Sequence, residues 1–216
     1  GLCVDDAGNY AQAEPEQSTN WELGTKWNLL DHRLLLTAAV FQTTKDDVIE
    51  GGSDSYQTGG SLNTGKNRVH GVELGLAGNI TDKLSGQVGA ALMDSETLES
   101  YNEENEGRPK ANFAEKSTNA QLRYQLTPAF AFGGTMTYSS EMFGGQPDEG
   151  ANGNIELDGY TVYDLFASYK VNENLDLRAN VQNIFDEDYY TAVYRGGSIV
   201  YKGDARNAQL TARYKF

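Results

Sequence analysis

The side chains of this sequence best suited to recognition lie outside its regular segments, where tyrosines and a phenylalanine share polar, Gly-containing stretches with arginine and lysine. Tyr56, Tyr101, Arg108, Lys110, Phe143, Tyr194 and Arg195 all fall there. A guanidinium beside an aromatic ring offers charge-assisted hydrogen bonds and stacking together, which suits the capture of a bulky anion. Tyr194-Arg195, in a stretch otherwise made of Gly and small residues, is the sharpest such pair. Catalysis has poorer material, because no nucleophile stands beside a base and no paired carboxylates share a readable pocket. Gly51-Gly52 and Gly59-Gly60 precede no helix and read as loop glycines, not a phosphate cradle. Cys3 is the only cysteine and there are two histidines, so neither a zinc set nor an internal disulfide can be drawn. A bond from Cys3 to an upstream cysteine would need an oxidising compartment. The formal net charge of −14 argues against a nucleic-acid partner, which would require clustered Lys and Arg.

What must position these residues is a set of strands. With 38% hydrophobic and 11% aromatic residues, the 216-residue chain has the composition of a folded domain. No window approaches the roughly 20 apolar residues of a membrane-spanning helix, so any encounter with a bilayer is through strands. A period of two recurs along the chain. From Thr19 to Leu29, Trp21, Leu23, Trp27 and Leu29 share one phase while Glu22, Gly24, Lys26 and Asn28 share the other. The alternation returns around Val72–Ala77, Leu84–Leu92, Asn119–Tyr124, Phe130–Ser139, Tyr163–Tyr169, Leu175–Gln182 and Gln209–Phe216. Leu34–Phe41 is apolar in both phases and reads as a strand whose faces stay unassigned.

Short turns at Leu30–Arg33, Asn79–Lys83, Gln125–Ala129 and Lys170–Asn174 alternate strictly with long polar loops near Lys45–Ser61, Asp94–Glu115, Met142–Leu157 and Ile184–Asp204. A soluble sandwich or lipocalin-like barrel has no reason to keep every long connection on one side, whereas outer-membrane barrels have short periplasmic turns and longer extracellular loops. Charge placement agrees: Glu22, Lys26, Glu73, Arg123, Asp164, Asp176, Arg178 and Arg213 all fall in the wet phase. They are expected to pair with one another and with whatever fills the lumen. Lys66, Arg68 and His70 continue the greasy phase of their strand upward, and are expected above the outer interface or beyond a bulge. Trp27, Tyr124, Phe130, Tyr169, Tyr214 and Phe216 mark a girdle at the turn end. The expected fold is therefore all-β, an antiparallel up-and-down transmembrane β-barrel. An odd strand count and an opening residue, Gly1, that follows no leader suggest a larger barrel cut upstream. Residues 1–17 read as the end of an extracellular loop and residues 18–216 as barrel wall.

Specific residues then carry a resemblance. Glu14-Pro15-Glu16-Gln17-Ser18 before Trp21-Glu22-Leu23-Gly24-Thr25-Lys26-Trp27, Arg68-Val69-His70-Gly71-Val72-Glu73-Leu74, Gly159-Tyr160 with Asp164, and Asn180-Val181-Gln182-Asn183-Ile184-Phe185-Asp186 with Tyr189-Tyr190 resemble the barrel of TonB-dependent siderophore receptors. The order and spacing match over residues 14–216, and Tyr214-Lys215-Phe216 is similar to the terminal aromatic signature read in barrel assembly. The resemblance implies a plugged barrel of about 22 strands, of which this chain supplies the last nine. It also implies import of a ferric siderophore, of catecholate type, with energy delivered by a TonB complex through an N-terminal plug region missing here. No cofactor is bound by the chain itself; the ferric siderophore is the transported ligand. Tyr56, Tyr101, Arg108, Phe143, Tyr194 and Arg195 become its candidate contacts. Lipid and lipopolysaccharide of the outer membrane would be the surroundings, with Glu103, Glu104 and Glu106 a solvated run or a cation-bridged lipopolysaccharide contact. A receptor for another scarce solute, such as a cobalamin, a carbohydrate or a metal complex, and a passive porin or adhesin are the competing readings.

Overall fold

The computed structural model describes residues 15–50, 62–100, 103–144, 155–194 and 199–216. Numbered in chain order, its strands are β1 (Gln17–Leu29), β2 (Leu34–Glu50), β3 (Leu62–Asn79), β4 (Leu84–Glu99), β5 (Lys116–Gln125), β6 (Phe130–Ser139), β7 (Met142–Gly144), β8 (Ile155–Leu157), β9 (Tyr160–Lys170), β10 (Leu175–Gln182), β11 (Tyr190–Tyr194), β12 (Ile199–Lys202) and β13 (Asn207–Tyr214). Nine of them form one antiparallel meander in the order β1-β2-β3-β4-β5-β6-β9-β10-β13. These are the nine strands expected from the alternation. The other four make two small hairpins, β7-β8 and β11-β12, inside stretches expected to be plain loops. Three residues per strand, in one case, is too short a run for a period of two to show.

One phase runs unbroken across the whole sheet. Residues directly opposite in an antiparallel ladder share a face, and the register links Leu23 to Val40, Val72 and Leu92, and Leu122 to Gly134, Leu165 and Val181. The opposite phase carries all eight wet-phase charges, for example Ser85 to Arg123 and Asp176 to Arg213. That phase lines the concave side, where Arg123, Thr135, Asp164, Arg178 and Asn180 share a hollow. The register also settles β2. Leu36, Ala38 and Val40 lie opposite Trp27, Thr25 and Leu23 and face outward, while Thr37, Ala39 and Phe41 face the lumen. Among the described residues, no second sheet or helical layer covers the outward phase. Leu23, Leu74, Leu122 and Leu165 all stand exposed on it, as they would in hydrocarbon.

The height of the apolar band can be read against the turns. His70 stands nine residues above Asn79 at the end of β3, and Lys116 nine above Gln125 at the end of β5. At about 3.3 Å per residue and a tilt of about 40°, nine residues climb roughly 23 Å, close to the ~25 Å apolar belt of such barrels. Outward charge therefore begins where hydrocarbon ends. The bulge expected here lies between Lys66 and Asn67, so it explains neither Arg68 nor His70; height does. β4 extends further than the alternation foretold and brings acids alongside: Arg68 pairs with Glu96 at 2.6 Å and His70 lies 3.9 Å from Asp94. At the turn end, ring centroids 5.8 Å apart for Tyr124 and Phe132, 6.1 Å for Phe130 and Phe132, and 6.4 Å for Phe130 and Tyr169 build the lower girdle.

Three of the four turns are closed by their own side chains. Thr81 Oγ1 accepts from the Leu84 N–H at 3.0 Å, Thr127 Oγ1 from Phe130 at 3.0 Å, and Asn172 Oδ1 from both Asn174 and Leu175 at 2.9 Å. Leu30, Asp31 and His32 take positive φ instead, and Arg33 reaches Asp82 on the next turn at 3.0 Å. Going along the row that starts at Leu29, the same row meets β13 at Ala208, six residues above Tyr214. The strands are thus staggered in the manner of a tilted barrel wall. β1 and β13 have no partner on their outer edges among the described residues. Unpaired backbone does not persist in hydrocarbon, so this sheet is part of a barrel.

Among the described residues the lumen charges do not pair with one another. Asp164 accepts hydrogen bonds from Thr135 Oγ1 and the Asn183 N–H, each at 2.9 Å, and Arg123 donates to Gln125. Most of their neighbours in the ladder are hydroxyls or small residues, as with Arg123 opposite Ser85 and Gly133 and Arg178 opposite Ser168 and Thr211, and Asp176, though opposite Arg213, forms no ion pair with it. The ion pairs lie instead at the turns and around the extracellular ends.

Candidate functional site

The connection from β4 to β5 does not wander. After a 3-10 turn at Glu103–Asn105 it returns along the top of β4, with the Thr97 N–H donating to Arg108 O at 2.9 Å, Gly107 to Thr97 O at 2.9 Å, Lys110 to Ser95 Oγ at 3.0 Å and Met93 to Glu115 O at 2.7 Å. Ser95 and Thr97 are buried beneath it. Arg108 and Lys110 are thereby fixed at the mouth by their backbones, and the Arg108 guanidinium has no ionic partner among the described residues. The acidic run lies exposed, and Glu106 accepts from the Ser100 N–H.

This connection also holds the two hairpins. Asn112 takes a φ of 56°, its N–H donates to Phe143 O at 2.6 Å, and its side chain pairs with Val193 twice: Nδ2 donates to Val193 O at 2.9 Å and Oδ1 accepts from the Val193 N–H at 2.7 Å. Beneath, Met142, Leu157 and Val193 form a buried cluster with Ala114 and Ile155 against it. Gly144 sits so close to Val193 that a Cβ would lie 2.2 Å from Cγ2. Alternation within the short strands then decides what faces out. Met142 and Gly144 go inward and Phe143 outward; Val193 goes inward and Tyr194 outward. Of the expected contacts, Arg108, Phe143 and Tyr194 are thus carried on one joined extracellular layer. Tyr56, Tyr101 and Arg195 lie outside the described residues, as does Cys3. Tyr214 and Phe216 stand at the opposite, turn end with ring centroids 5.2 Å apart and Phe216 fully exposed. They form part of the lower girdle.

Two further groups at the mouth stood in the sequence only as motifs, without a structural role. Tyr160 shares its row with Ser139 on the lumen face, and its ring centroid lies 4.4 Å from that of Tyr189. The Tyr189 ring lies across Gly203, whose absent Cβ would be 2.1 Å from it. Burial first, then the neighbouring Tyr160 and Asp204, hold the Tyr189 phenol above its ordinary range. Below this stack, the Asn183 side chain is buried and bonded three ways, its Nδ2 donating to Glu187 O at 2.8 Å and Asp204 O at 3.0 Å while its Oδ1 accepts from the Glu187 N–H at 2.8 Å. Asp186 accepts from the Arg206 N–H at 2.9 Å. The Asn183–Asp186 motif was legible as a motif; its work, a knot joining the tops of β9, β10 and β13, was not.

The arrangement is a wet wall, a girdled apolar exterior, and an extracellular layer that carries exposed Phe143 and Tyr194 together with Arg108. Comparisons with known proteins agree. Residues 4–184 match the family described as TonB dependent receptor-like, beta-barrel. The probable TonB-dependent siderophore receptor PiuA of Acinetobacter baumannii is 30% identical over 223 residues, covering 96% of this chain and 28% of PiuA. The catecholate siderophore receptor Fiu of Escherichia coli K12 is 33% identical over 214 residues, covering 98% of this chain and 27% of Fiu. The crystal structure of Fiu, described as a ferric-catecholate import receptor in its closed form, superposes with a TM-score of 0.81 at 31% identity, over 100% of this chain and 30% of Fiu. The chain therefore spans under a third of the length of the relatives it matches. It belongs to the TonB-dependent receptor-like β-barrel family, receptors of the bacterial outer membrane, and forms the C-terminal part of such a barrel.

Proposed function

We propose that the receptor containing this chain imports a ferric siderophore of the catecholate type, drawing energy from a TonB complex that contacts a part of the protein outside this chain. The observation that carries the reading is the joined extracellular layer that carries exposed Phe143 and Tyr194 together with the Arg108 guanidinium, which has no ionic partner among the described residues. A ferric catecholate is anionic and rimmed by aromatic rings, so stacking and charge-assisted hydrogen bonds are the interactions it calls for. The names of PiuA and Fiu support the same ligand class. The metal complex is cargo, and the wall supplies it with a polar lumen rather than ligands.

The test is quenching of intrinsic fluorescence in the full-length receptor, titrated with ferric catecholates and with ferric chelates of other chemistry. Saturable quenching by the catecholates at nanomolar concentration is expected, and silence toward every ferric chelate would overturn the proposal. Truncating an aromatic contact, Phe143→Ala or Tyr194→Ala, is expected to weaken binding about tenfold, since a desolvated ring contact at such a site is worth on the order of 1–2 kcal/mol. Unchanged affinity in both variants would remove these residues from the site.

A further inference from the structure

We infer that Asn112 is a positioning residue for ligand capture: without touching the ligand, it locks the β4–β5 connection to both extracellular hairpins and so fixes Phe143 and Tyr194 in one surface. This rests on the proposed import of a ferric siderophore for its affinity readout, but not for its structural one.

The argument begins with what the hairpins lack. β7-β8 has three residues per strand, and β11-β12 pairs over Tyr190–Tyr194 and Ile199–Lys202 with a register shift. Isolated two-stranded hairpins of this length are marginal in water. Neither hairpin is hydrogen-bonded into the nine-stranded sheet. Their order comes from the buried Met142, Leu157 and Val193 and from Asn112, whose amide makes to Val193 the pair of bonds that a neighbouring strand would have made. The backbone N–H of the same residue holds Phe143 O at 2.6 Å. One residue thus bonds the backbone of Phe143 and that of Val193, the residue preceding Tyr194. The geometry restricts what could do this. The φ of 56° is in the left-handed region, which Asn tolerates better than most residues, and its short amide carries a donor and an acceptor side by side.

Asn112→Gly separates the roles, because glycine adopts the same φ and keeps the N–H to Phe143 O while the paired bonds to Val193 vanish. In the full-length receptor in outer-membrane vesicles, this variant is expected to raise the Kd for a ferric catecholate about tenfold and to speed amide hydrogen exchange in residues 190–194. Asn112→Asp, which keeps the acceptor for the Val193 N–H and loses the donor, should fall between. Positioning through the rings also predicts non-additivity. In a receptor already carrying Phe143→Ala and Tyr194→Ala, Asn112→Gly should change the Kd by less than about twofold. Faster exchange with no response to any ferric chelate, in wild type as in variant, would uphold the lock and defeat the proposed ligand class. Unchanged exchange in Asn112→Gly, or a full tenfold loss in the ring-truncated background, would overturn the inference. Should Asn112→Gly fail to reach the membrane, Asn112→Asp carries the same exchange comparison with a smaller expected change.

Discussion

Leu74→Arg is expected to destabilise the full-length receptor in a bilayer by about 2–4 kcal/mol, whereas Glu73→Arg, one residue away, should cost less than about 1 kcal/mol. Leu74 lies five residues above Asn79, which at the same rise and tilt places it roughly 13 Å up, near the middle of the apolar belt. Its side chain is 52% exposed in the isolated wall, with Ala38 and Ala90 on either side in its row. Those small neighbours leave a guanidinium nothing to pair with. Glu73 points to the lumen beside Ala39 and Ala91 and already bears a charge there, so water and the polar wall accept an arginine in its place. Urea unfolding of the receptor in lipid vesicles, followed by heat-modifiable migration, measures both. Equal losses at the two positions would mean that the outward phase does not meet hydrocarbon, and the membrane reading of the sheet would fail with it.

That contrast between adjacent residues is also why so much of the fold was legible. A wall one residue thick, with lipid on one side and water on the other, writes its two environments into the sequence at a period of two, and every long strand but one showed it. β2 did not, because Leu35, Ala39 and Phe41 are apolar residues on the wet side; only the register against Trp27 and Leu23 separates its faces. Loop architecture was illegible for a different reason. The hairpins are held by contacts between distant segments, Asn112 to Val193 across 81 residues and Gly144 against Val193, and no local pattern in Met142-Phe143-Gly144 announces them. The lumen charges misled because alternating sign along the sequence suggests pairing, whereas neighbouring strands set mostly hydroxyls and small residues opposite them. The candidate contacts themselves were found by residue type alone. Arg108, Phe143 and Tyr194 prove to share a layer, but composition could not have shown the residue that joins them.

Asn183→Ala is expected to cost about 3–5 kcal/mol, the largest loss of any single side chain considered, although it removes only an amide. The residue is 2% exposed and all three of its side-chain hydrogen bonds go to backbone groups, those of Glu187 and Asp204. Truncation takes from two carbonyls and an N–H the partner they share and leaves the space of a buried amide beside them, at roughly 1–3 kcal/mol for each group that stays unpaired. Its φ of 49° adds strain for alanine of about 1 kcal/mol. Asn183→Gly removes that strain and should recover about that much, which divides the loss into its backbone and hydrogen-bonding parts. The consequence is local as well as global. The Asn183 knot sets where β10 ends and β13 begins, with Asp164 on β9 accepting the Asn183 N–H and Asp186 accepting that of Arg206. Losing it should release the segment carrying Tyr189, the β11-β12 hairpin and Tyr194 while the lower ladder between Leu175 and Tyr214 holds. Hydrogen exchange should therefore rise across residues 184–194 and 199–206 and stay unchanged in residues 175–179. Uniform acceleration along the whole of β10 would show that the knot supports the strand rather than the extracellular layer above it.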